Sequence, residues 1–483
     1  MKKQITSAIA LAAMLATFSS CGDAEKPKEG EEAMKTAPPA GVIKPVPLPD
    51  PQISGYSYPT DSLVIDNWIN TNNNDSIALH GWGIWTSLNM SSGQQYEGQD
   101  LRVFETWLTP QDMQALMLAS ESKKLRMENV KTSRGTLSSP NQFLHAKKAR
   151  LKAGMVSSAQ EDQRVVGFVK YDPTAAQFAV SNKLFDSLVL QSMLDQGKTE
   201  IPQFPNTGMT LKPVFEIVTE DTLQACGGYY KLNVWTGLPP QPISYPEGSW
   251  PGYVYVDPNN GGQGNGSVDI GGKHRTPQTT YNLNDFVHFK LDKQTAAELK
   301  ANFNMQAKEG DIAILVAMHV TSKEITRWTW QTYWWAPNAD NPPAPSSAAI
   351  AAMRPSQLQG APRHYAMSQA YTFINPNQPL TGGNNIGTSI YAFNPYLEAG
   401  FDPSVLGNSA IVITNGKKVV NNYGVLTNCM SCHANANYVP ASVTTGPGYL
   451  GDTYIDMNNP TFKGTLKLDF AWSIQGNLIG VKR

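Results

Sequence analysis

The chain has 483 residues, of which 41% are hydrophobic and 16% are charged. This hydrophobic content excludes a disordered chain, and 38 Lys and Arg against 39 Asp and Glu lack the basic excess of a nucleic-acid-binding protein. The 39 Gly, 34 Pro and 11 Trp indicate an exported protein rich in strands and loops, and 4 Cys are too few for a disulfide scaffold of this size.

The N-terminus has the pattern of a secretion signal. Two lysines precede an apolar run over residues 5–18, which is too short to span a membrane, and two serines then precede Cys21. A Cys directly after small residues resembles the lipobox of bacterial lipoproteins, although Phe18 stands where that family usually has Leu. The resemblance implies that residues 1–20 are a signal peptide and that Cys21 carries the lipid. The alternative is an ordinary signal peptide.

A charged, Pro-rich stretch follows the predicted lipidation site. Residues 21–55 contain a Glu and Lys patch and then six prolines, a composition that cannot bury a core and favours an extended tether. We therefore expect a periplasmic or cell-surface protein that meets a membrane only through its lipid anchor. The body is predicted over residues 56–405.

Polar capping residues followed by apolar runs predict several helices. Asp61 precedes a helix over residues 63–69, and Asp75 or Ser76 precedes one over residues 77–88. Further helices are predicted over residues 110–120, 181–193 and 295–303.

Strands are predicted to outnumber helices in the body. Runs rich in β-branched and aromatic residues cover residues 211–218, 229–235, 252–256, 286–291 and 365–373. The clearest hairpin joins residues 312–320 to residues 325–335 through the turn 321–324. With no clean linker and no repeat, the sequence predicts an α+β fold with a β-rich body, either undivided or as two packed lobes.

Three features of the body invite a functional interpretation. The glycine-rich run 261–266 lacks the Lys and Ser/Thr of a phosphate-binding loop and is predicted to be a turn. His80 could form an acid–base pair with Glu105 if the fold brought them together. Cys226 is predicted to be a buried, unreactive thiol.

Near the C-terminus stands the run Asn428-Cys429-Met430-Ser431-Cys432-His433. The spacing C-x-x-C-H is the attachment motif for c-type haem, since two Cys three apart on a helix lie on one face. Their sulfurs can form thioethers with one porphyrin, and His433 then ligates the iron. A zinc site needs two more ligands, and a thioredoxin-like site needs a preceding strand; neither is evident. We therefore expect one covalent haem c, held by residues 406–483.

The chain at this point resembles bacterial c-type cytochromes, in particular large exported proteins with a single haem motif. The specific match is Cys429 to His433, and a looser similarity covers most of residues 60–480. The looser similarity implies no known substrate, and it rests on four stretches: Met318-His319-Val320, Trp328-Thr329-Trp330, Asn394-Pro395-Tyr396-Leu397-Glu398 and Asp469-Phe470-Ala471-Trp472.

The chain departs from a small cytochrome c after the motif. Only 50 residues follow His433, and residues 465–474 alternate like a strand. Met457 and His319 are the candidate sixth ligands of the iron, and an open site is the alternative. The Trp-rich strand 325–335 is predicted to be core, or else an aromatic wall beside the haem.

Three functions stay open on these residues. The first is single-electron transfer between redox partner proteins. The second is a haem-dependent oxidoreductase with a substrate site in the large body. The third is a non-redox binding lipoprotein in which C-x-x-C-H is incidental.

Overall fold

The computed structural model describes residues 43–119, 130, 132, 134–140, 165–239, 244–401, 411–414, 417–420, 428–440 and 454–480. The chain from Pro39 onward forms one compact unit. Helices and sheets both contribute to it, so the α+β prediction is confirmed.

The helices are short, and most begin at a side chain that caps their first turn. Their bounds are α1 Ser62–Asn70, α2 Asn74–Leu88, α3 Pro110–Ala119, α4 Pro173–Ser181, α5 Ser187–Asp195, α6 Glu220–Gln224, α7 Lys293–Phe303, α8 Ala348–Ala352, α9 Pro395–Glu398, α10 Cys429–His433 and α11 Trp472–Gly476. Single 3₁₀ turns cover Val103–Thr106, Glu247–Ser249, Pro277–Thr279, Leu283–Asp285, Ala361–His364 and Pro460–Phe462.

The strands are β1 Ser91–Tyr96, β2 Gln99–Arg102, β3 Val165–Gly167, β4 Lys170–Tyr171, β5 Met209–Val218, β6 Tyr230–Val234, β7 Gly252–Asp257, β8 Asp269–Ile270, β9 Thr280–Asn282, β10 His288–Lys290, β11 Ile312–Ser322, β12 Thr329–Trp335, β13 Tyr365–Ala370, β14 Ile374–Asn375, β15 Thr388–Ser389, β16 Ile411–Thr414, β17 Lys417–Val420, β18 Asn437–Tyr438 and β19 Leu466–Lys467.

A central antiparallel sheet organises the body. Its strand order is β13-β12-β11-β5-β3, with β10 added to the edge of β11 and β4 to the edge of β5. A second sheet has the order β6-β7-β8, and β9 pairs with β7 in parallel. The predicted hairpin is present as β11 and β12, and its connection runs over residues 323–328.

Successive residues of β12 point to opposite faces of the central sheet. Tyr333 faces α2: its hydroxyl donates to the carbonyl of Gly81 and its ring stacks on Trp85 at 4.3 Å. A Cβ at Gly81 would lie 2.7 Å from the sulfur of Met367, so a larger residue there would force that side chain to move. Trp330 points to the other face, where it contacts His433.

Several predicted elements are shifted or replaced. The prediction of a helix that begins at residue 181 is wrong. Asp172 caps α4, which begins at Pro173 and ends at Ser181, and the next helix, α5, begins only after its own cap, Asp186. Helix α2 is capped by Asn73, which accepts from the backbone of Ser76, instead of by Asp75 or Ser76.

The strand predicted over residues 465–474 is also wrong beyond Leu466–Lys467. Asp469 and Phe470 take positive φ angles of 47° and 64°, and α11 follows. The buried carboxylate of Asp469 accepts from the backbone of Phe204. The two residues are far apart in sequence, so the local alternation of residue types could not reveal this contact.

The body begins earlier than the predicted tether boundary at residue 55. Ile43 is fully buried and forms a bridge with Thr132, and the indole of Trp107 donates to the carbonyl of Val46 at 2.9 Å. Residues 43–55 therefore pack on the body. The predicted signal peptide, Cys21 and the rest of the tether lie outside the described residues.

Candidate haem site

The C-x-x-C-H motif forms the short helix α10. Asn428 caps it: its Oδ1 accepts from the backbone of Met430 at 2.9 Å, and its Nδ2 donates to the carbonyls of Thr372 and Ile390. Met430 and Ser431 are fully buried, whereas the two cysteines are half-buried. The helix thus turns its inner residues into the core, whereas the cysteines keep part of their surface exposed and the Cys429 thiol donates to the carbonyl of Ala392 at 3.1 Å.

A backbone carbonyl fixes the imidazole of His433. Its Nδ1 lies 2.8 Å from the carbonyl oxygen of Phe470. A carbonyl only accepts, so Nδ1 carries the proton and Nε2 presents a lone pair. Burial, together with smaller effects of His319 and Lys212, lowers the pKa of His433 to about 3, so the ring is neutral at physiological pH. A neutral imidazole with one nitrogen held by an acceptor is the form that ligates metals.

A buried ion pair holds the turn that presents this carbonyl. Lys323 lies 2.5 Å from Asp469, and both side chains are at most 5% exposed. The pair joins the loop between β11 and β12 to the residue before Phe470. Two charges removed from water must stay paired, so the position of Asp469, and with it that of the Phe470 carbonyl, is strongly specified.

Two tryptophans flank His433. The ring of Trp330 lies 4.3 Å from the imidazole with a tilt of 45°, and Trp472 stands nearly perpendicular at 6.0 Å. The indole of Trp330 donates to the carbonyl of Arg327 at 2.8 Å, which fixes its orientation. Trp328, Trp334 and Trp335 are buried as predicted for a core, whereas Trp330 is both core and wall of the candidate site.

A row of polar residues crosses the central sheet on the same face as Trp330. Lys212 on β5 pairs in register with His319 on β11, which pairs with Thr332 on β12. His319 Nε2 lies 2.9 Å from a carboxylate oxygen of Glu398, whose other oxygen accepts from the backbone of Asn394 at 2.6 Å. This row brings a cation, an imidazole and a carboxylate into the neighbourhood of His433.

The two candidate sixth ligands lie in different surroundings. Met457 is buried and lines a cavity with Ala434, Ala436 and Phe470, the residue that holds Nδ1 of His433. His319 acts electrostatically on His433, but its Nε2 is engaged by Glu398. Both stay candidates. Residues 421–427 and 441–453, on either side of α10 in sequence, lie outside the described residues, as do residues 402–410.

The predicted pair of His80 and Glu105 does not form. His80 bonds to the hydroxyl of Tyr371 at 2.6 Å and to Glu324 at 3.1 Å, whereas Glu105 pairs with Arg134 at 3.3 Å. The reason is that α2 turns His80 toward the central sheet. Cys226 is half-buried rather than buried.

Each of the four stretches named in the sequence analysis contributes a residue to this site or to its neighbour His319. Trp330 and Phe470 contact His433, His319 acts on it through charge, and Glu398 contacts His319. Sequence reasoning missed Lys212, Lys323 and the carbonyl role of Phe470. Lys212 left one signal, a lysine inside the apolar strand Leu-Lys-Pro-Val-Phe.

No family model, curated protein or solved structure matches this chain. Within the described residues, no group of three or more His, Cys, Asp or Glu side chains is arranged to hold a metal ion. The same part of the chain contains no helix with the length and apolar character needed to cross a bilayer.

Proposed function

We propose that this chain binds one haem c covalently through Cys429 and Cys432, with His433 as an iron ligand, and transfers single electrons between partner proteins outside the cytoplasm. The observation that carries the proposal is the hydrogen bond from Nδ1 of His433 to the Phe470 carbonyl, on a capped helix whose two cysteines are half-buried. A c-type haem supplies a reversible one-electron iron couple when bound.

The described residues have distinct parts in this proposal. Cys429 and Cys432 would hold the porphyrin, burial keeps His433 neutral, and the Phe470 carbonyl orients its ring. Trp330 and Trp472 pack against the imidazole and make its surroundings more apolar. Because apolar surroundings disfavour added charge, these rings are expected to tune the potential of the site.

A stain for covalent haem on a denaturing gel tests this proposal. The wild-type chain, matured in a host that attaches c-type haem, is expected to stain, and Cys432→Ala is expected to lose most of the stain. Cys226→Ala removes a cysteine outside the motif and is expected to stain like wild type. A wild-type chain without stain would support the non-redox lipoprotein instead.

A haem-dependent oxidoreductase is the second candidate function. The row of Lys212 and His319 with Glu398 favours it, since such groups can bind and protonate a substrate. Carbon monoxide distinguishes the two: a reduced protein whose spectrum changes readily with it has an open iron and supports this candidate. An unchanged low-spin spectrum supports electron transfer.

Export and anchoring complete the proposal. The sequence pattern before Cys21 supports a lipid-anchored protein of the periplasm or cell surface. Incorporation of labelled palmitate into the wild-type chain, and its loss in Cys21→Ala, would support the anchor. Labelling that persists in the variant would overturn it.

A further inference from the structure

An exposed apolar residue stands beside basic residues at the edge of the second sheet. Ile270 ends the edge strand β8 and is 65% exposed, and the exposed run Lys-His-Arg at residues 273–275 follows it. Residues 270–279 include no acidic residue, and Asp269 before them is buried. Residues 270–275 are called the basic loop below. It combines positive charge with an aliphatic side chain that the fold leaves unburied.

Contacts with the second sheet hold the backbone of the basic loop in place. Gly271 and Gly272 take positive φ angles of 87° and 65°, which glycine adopts without strain. The buried carboxylate of Asp269 accepts from the backbone of His274 at 2.8 Å, and Lys231 donates to the carbonyl of Gly272 at 2.8 Å. The basic side chains therefore project from a fixed backbone, which reduces the entropy lost on binding a partner.

Aromatic rings support the cations of this surface. The guanidinium of Arg275 lies 3.9 Å from the ring centre of Tyr229, and the ammonium of Lys231 lies 4.1 Å from that of Tyr253. The negative face of an aromatic ring attracts a cation without neutralising it. Tyr229 and Lys231 therefore leave the positive charge of the basic loop available to a partner.

Two other exposed apolar residues have acidic neighbours instead. Leu63, which is 76% exposed, stands between Asp61 and Asp66 in sequence. Leu188, which is 69% exposed, follows Asp186 by two positions. Negative charge beside these side chains repels an anionic partner, so of the three positions the basic loop is the one suited to it.

The predicted lipid anchor brings a membrane within reach of the body. Cys21 and Ile43, the first described residue, are 22 positions apart. An extended chain of that length spans up to about 75 Å. A compact body of the length that follows is about 60 Å across. The tether therefore allows any face of the body to meet the bilayer, and the charge and apolar character of each face decide which one does.

We propose that the basic loop docks on the anionic phospholipid surface of the membrane that holds the anchor, with Lys273 and Arg275 at lipid phosphates and Ile270 among the upper acyl chains. The inference rests on the proposed export and anchoring. Each Lys or Arg beside an anionic bilayer raises affinity about fivefold, and salt weakens this gain. Because the chain as a whole has no basic excess, the attraction has to be local.

Sedimentation with vesicles tests the proposal on the full chain with Cys21→Ala, which carries no lipid. Vesicles that contain phosphatidylglycerol in phosphatidylcholine are compared with pure phosphatidylcholine vesicles, at low and at high salt. The double variant Lys273→Gln/Arg275→Gln removes two charges from the basic loop. Its control, Lys293→Gln/Lys300→Gln, removes two charges from exposed positions on α7.

A second pair of variants tests the apolar contact on its own. Ile270→Asn removes the aliphatic side chain of the basic loop, and Leu188→Asn removes a similarly exposed one from α5. Both positions are exposed, so all four variants are expected to melt like the parent chain.

The parent chain is expected to sediment with the anionic vesicles at low salt and not with the neutral ones. The charge variant should bind at least tenfold more weakly and Ile270→Asn at least threefold more weakly, with both controls within about twofold of the parent. Equal binding by the loop variants and their controls would overturn the proposal. Absence of parent binding to anionic vesicles would also overturn it, in favour of an acidic protein partner. Failure of the anchor shows separately, as palmitate labelling that persists in Cys21→Ala.

Discussion

His433 is positioned by residues that lie far from it in sequence and each make one decisive contact. The Phe470 carbonyl sets which ring nitrogen carries the proton, and the pair of Asp469 and Lys323 holds that carbonyl in place. Together these contacts orient the imidazole. Such outer partners commonly matter nearly as much as the ligand itself.

A buried carboxylate elsewhere in the body gives the first prediction, that stability depends on pH through Asp172. Asp172 caps α4 and accepts from the backbone of Met209, and burial raises its pKa to about 6. Between about pH 4 and pH 6 Asp172 is protonated in the folded protein but ionised in the unfolded chain. The free energy of unfolding therefore falls as pH rises through this window. The difference from the pKa of about 3.9 in an unfolded chain corresponds to about 3 kcal/mol.

Asp172→Asn keeps the amide oxygen as a cap and removes the titration. Urea unfolding at pH 4 and pH 7 measures both proteins. The advantage of wild type over Asp172→Asn is expected to shrink by up to about 3 kcal/mol from pH 4 to pH 7. If the free energies of unfolding of the two proteins changed equally with pH, Asp172 would titrate in the folded protein as it does in an unfolded chain.

At the scale of elements, helix α10 is too short to be stable alone and depends on its cap. A five-residue helix forms only when tertiary contacts offset the cost of its first turn. Asn428 supplies three such contacts and is fully buried. The geometry of the two thiols therefore depends on a residue outside the motif.

The second prediction is that Asn428→Ala destabilises the protein by about 3 kcal/mol. Loss of a cap costs about 1 kcal/mol, and two buried carbonyls losing their donor add about 2 kcal/mol. Haem attachment is expected to fall in parallel on a stained gel. Asn73→Ala removes the exposed cap of α2 as a control and should cost about 1 kcal/mol. Equal losses in the two variants would mean that the buried bonds of Asn428 contribute little.

At the scale of the whole molecule, the region that bears the motif is part of the body and not a separate domain. One hydrophobic core contains Leu108 and Tyr171 from the first half of the chain together with Met430 and Phe470. Removing either part exposes apolar surface on the other. The site therefore depends on the complete fold.

The third prediction tests where this fold begins. Two chains, one beginning at Gly41 and one at Gly55, are produced behind the same foreign signal peptide. The shorter chain lacks Ile43 and Ile53, which are at most 6% exposed, and the bonds of Val46. It is expected to be less stable by about 4 kcal/mol, since each buried Ile contributes about 2 kcal/mol. Equal melting temperatures would place the boundary at residue 55, as composition suggested.

The amino-acid sequence alone was enough to predict the α+β class and most strands of the central sheet, because these are local properties. Residues 211–218 and 312–320 show their strand character in composition, and the prediction of haem attachment likewise rests on the local spacing C-x-x-C-H. The cap of α1 at Asp61 and the start of α3 at Pro110 were also predictable from neighbouring residues.

The surroundings of His433 could not be read from the sequence, because they are set by long-range packing. Every residue has a carbonyl, so nothing in the sequence marks that of Phe470, and its presentation requires positive φ angles that a strand-like pattern concealed. Lys212, His319 and Trp330 meet through strand register, and Lys323 reaches Asp469 across 146 positions. Long-range pairing follows from the packing of the whole chain, whereas periodicity reports only on neighbours.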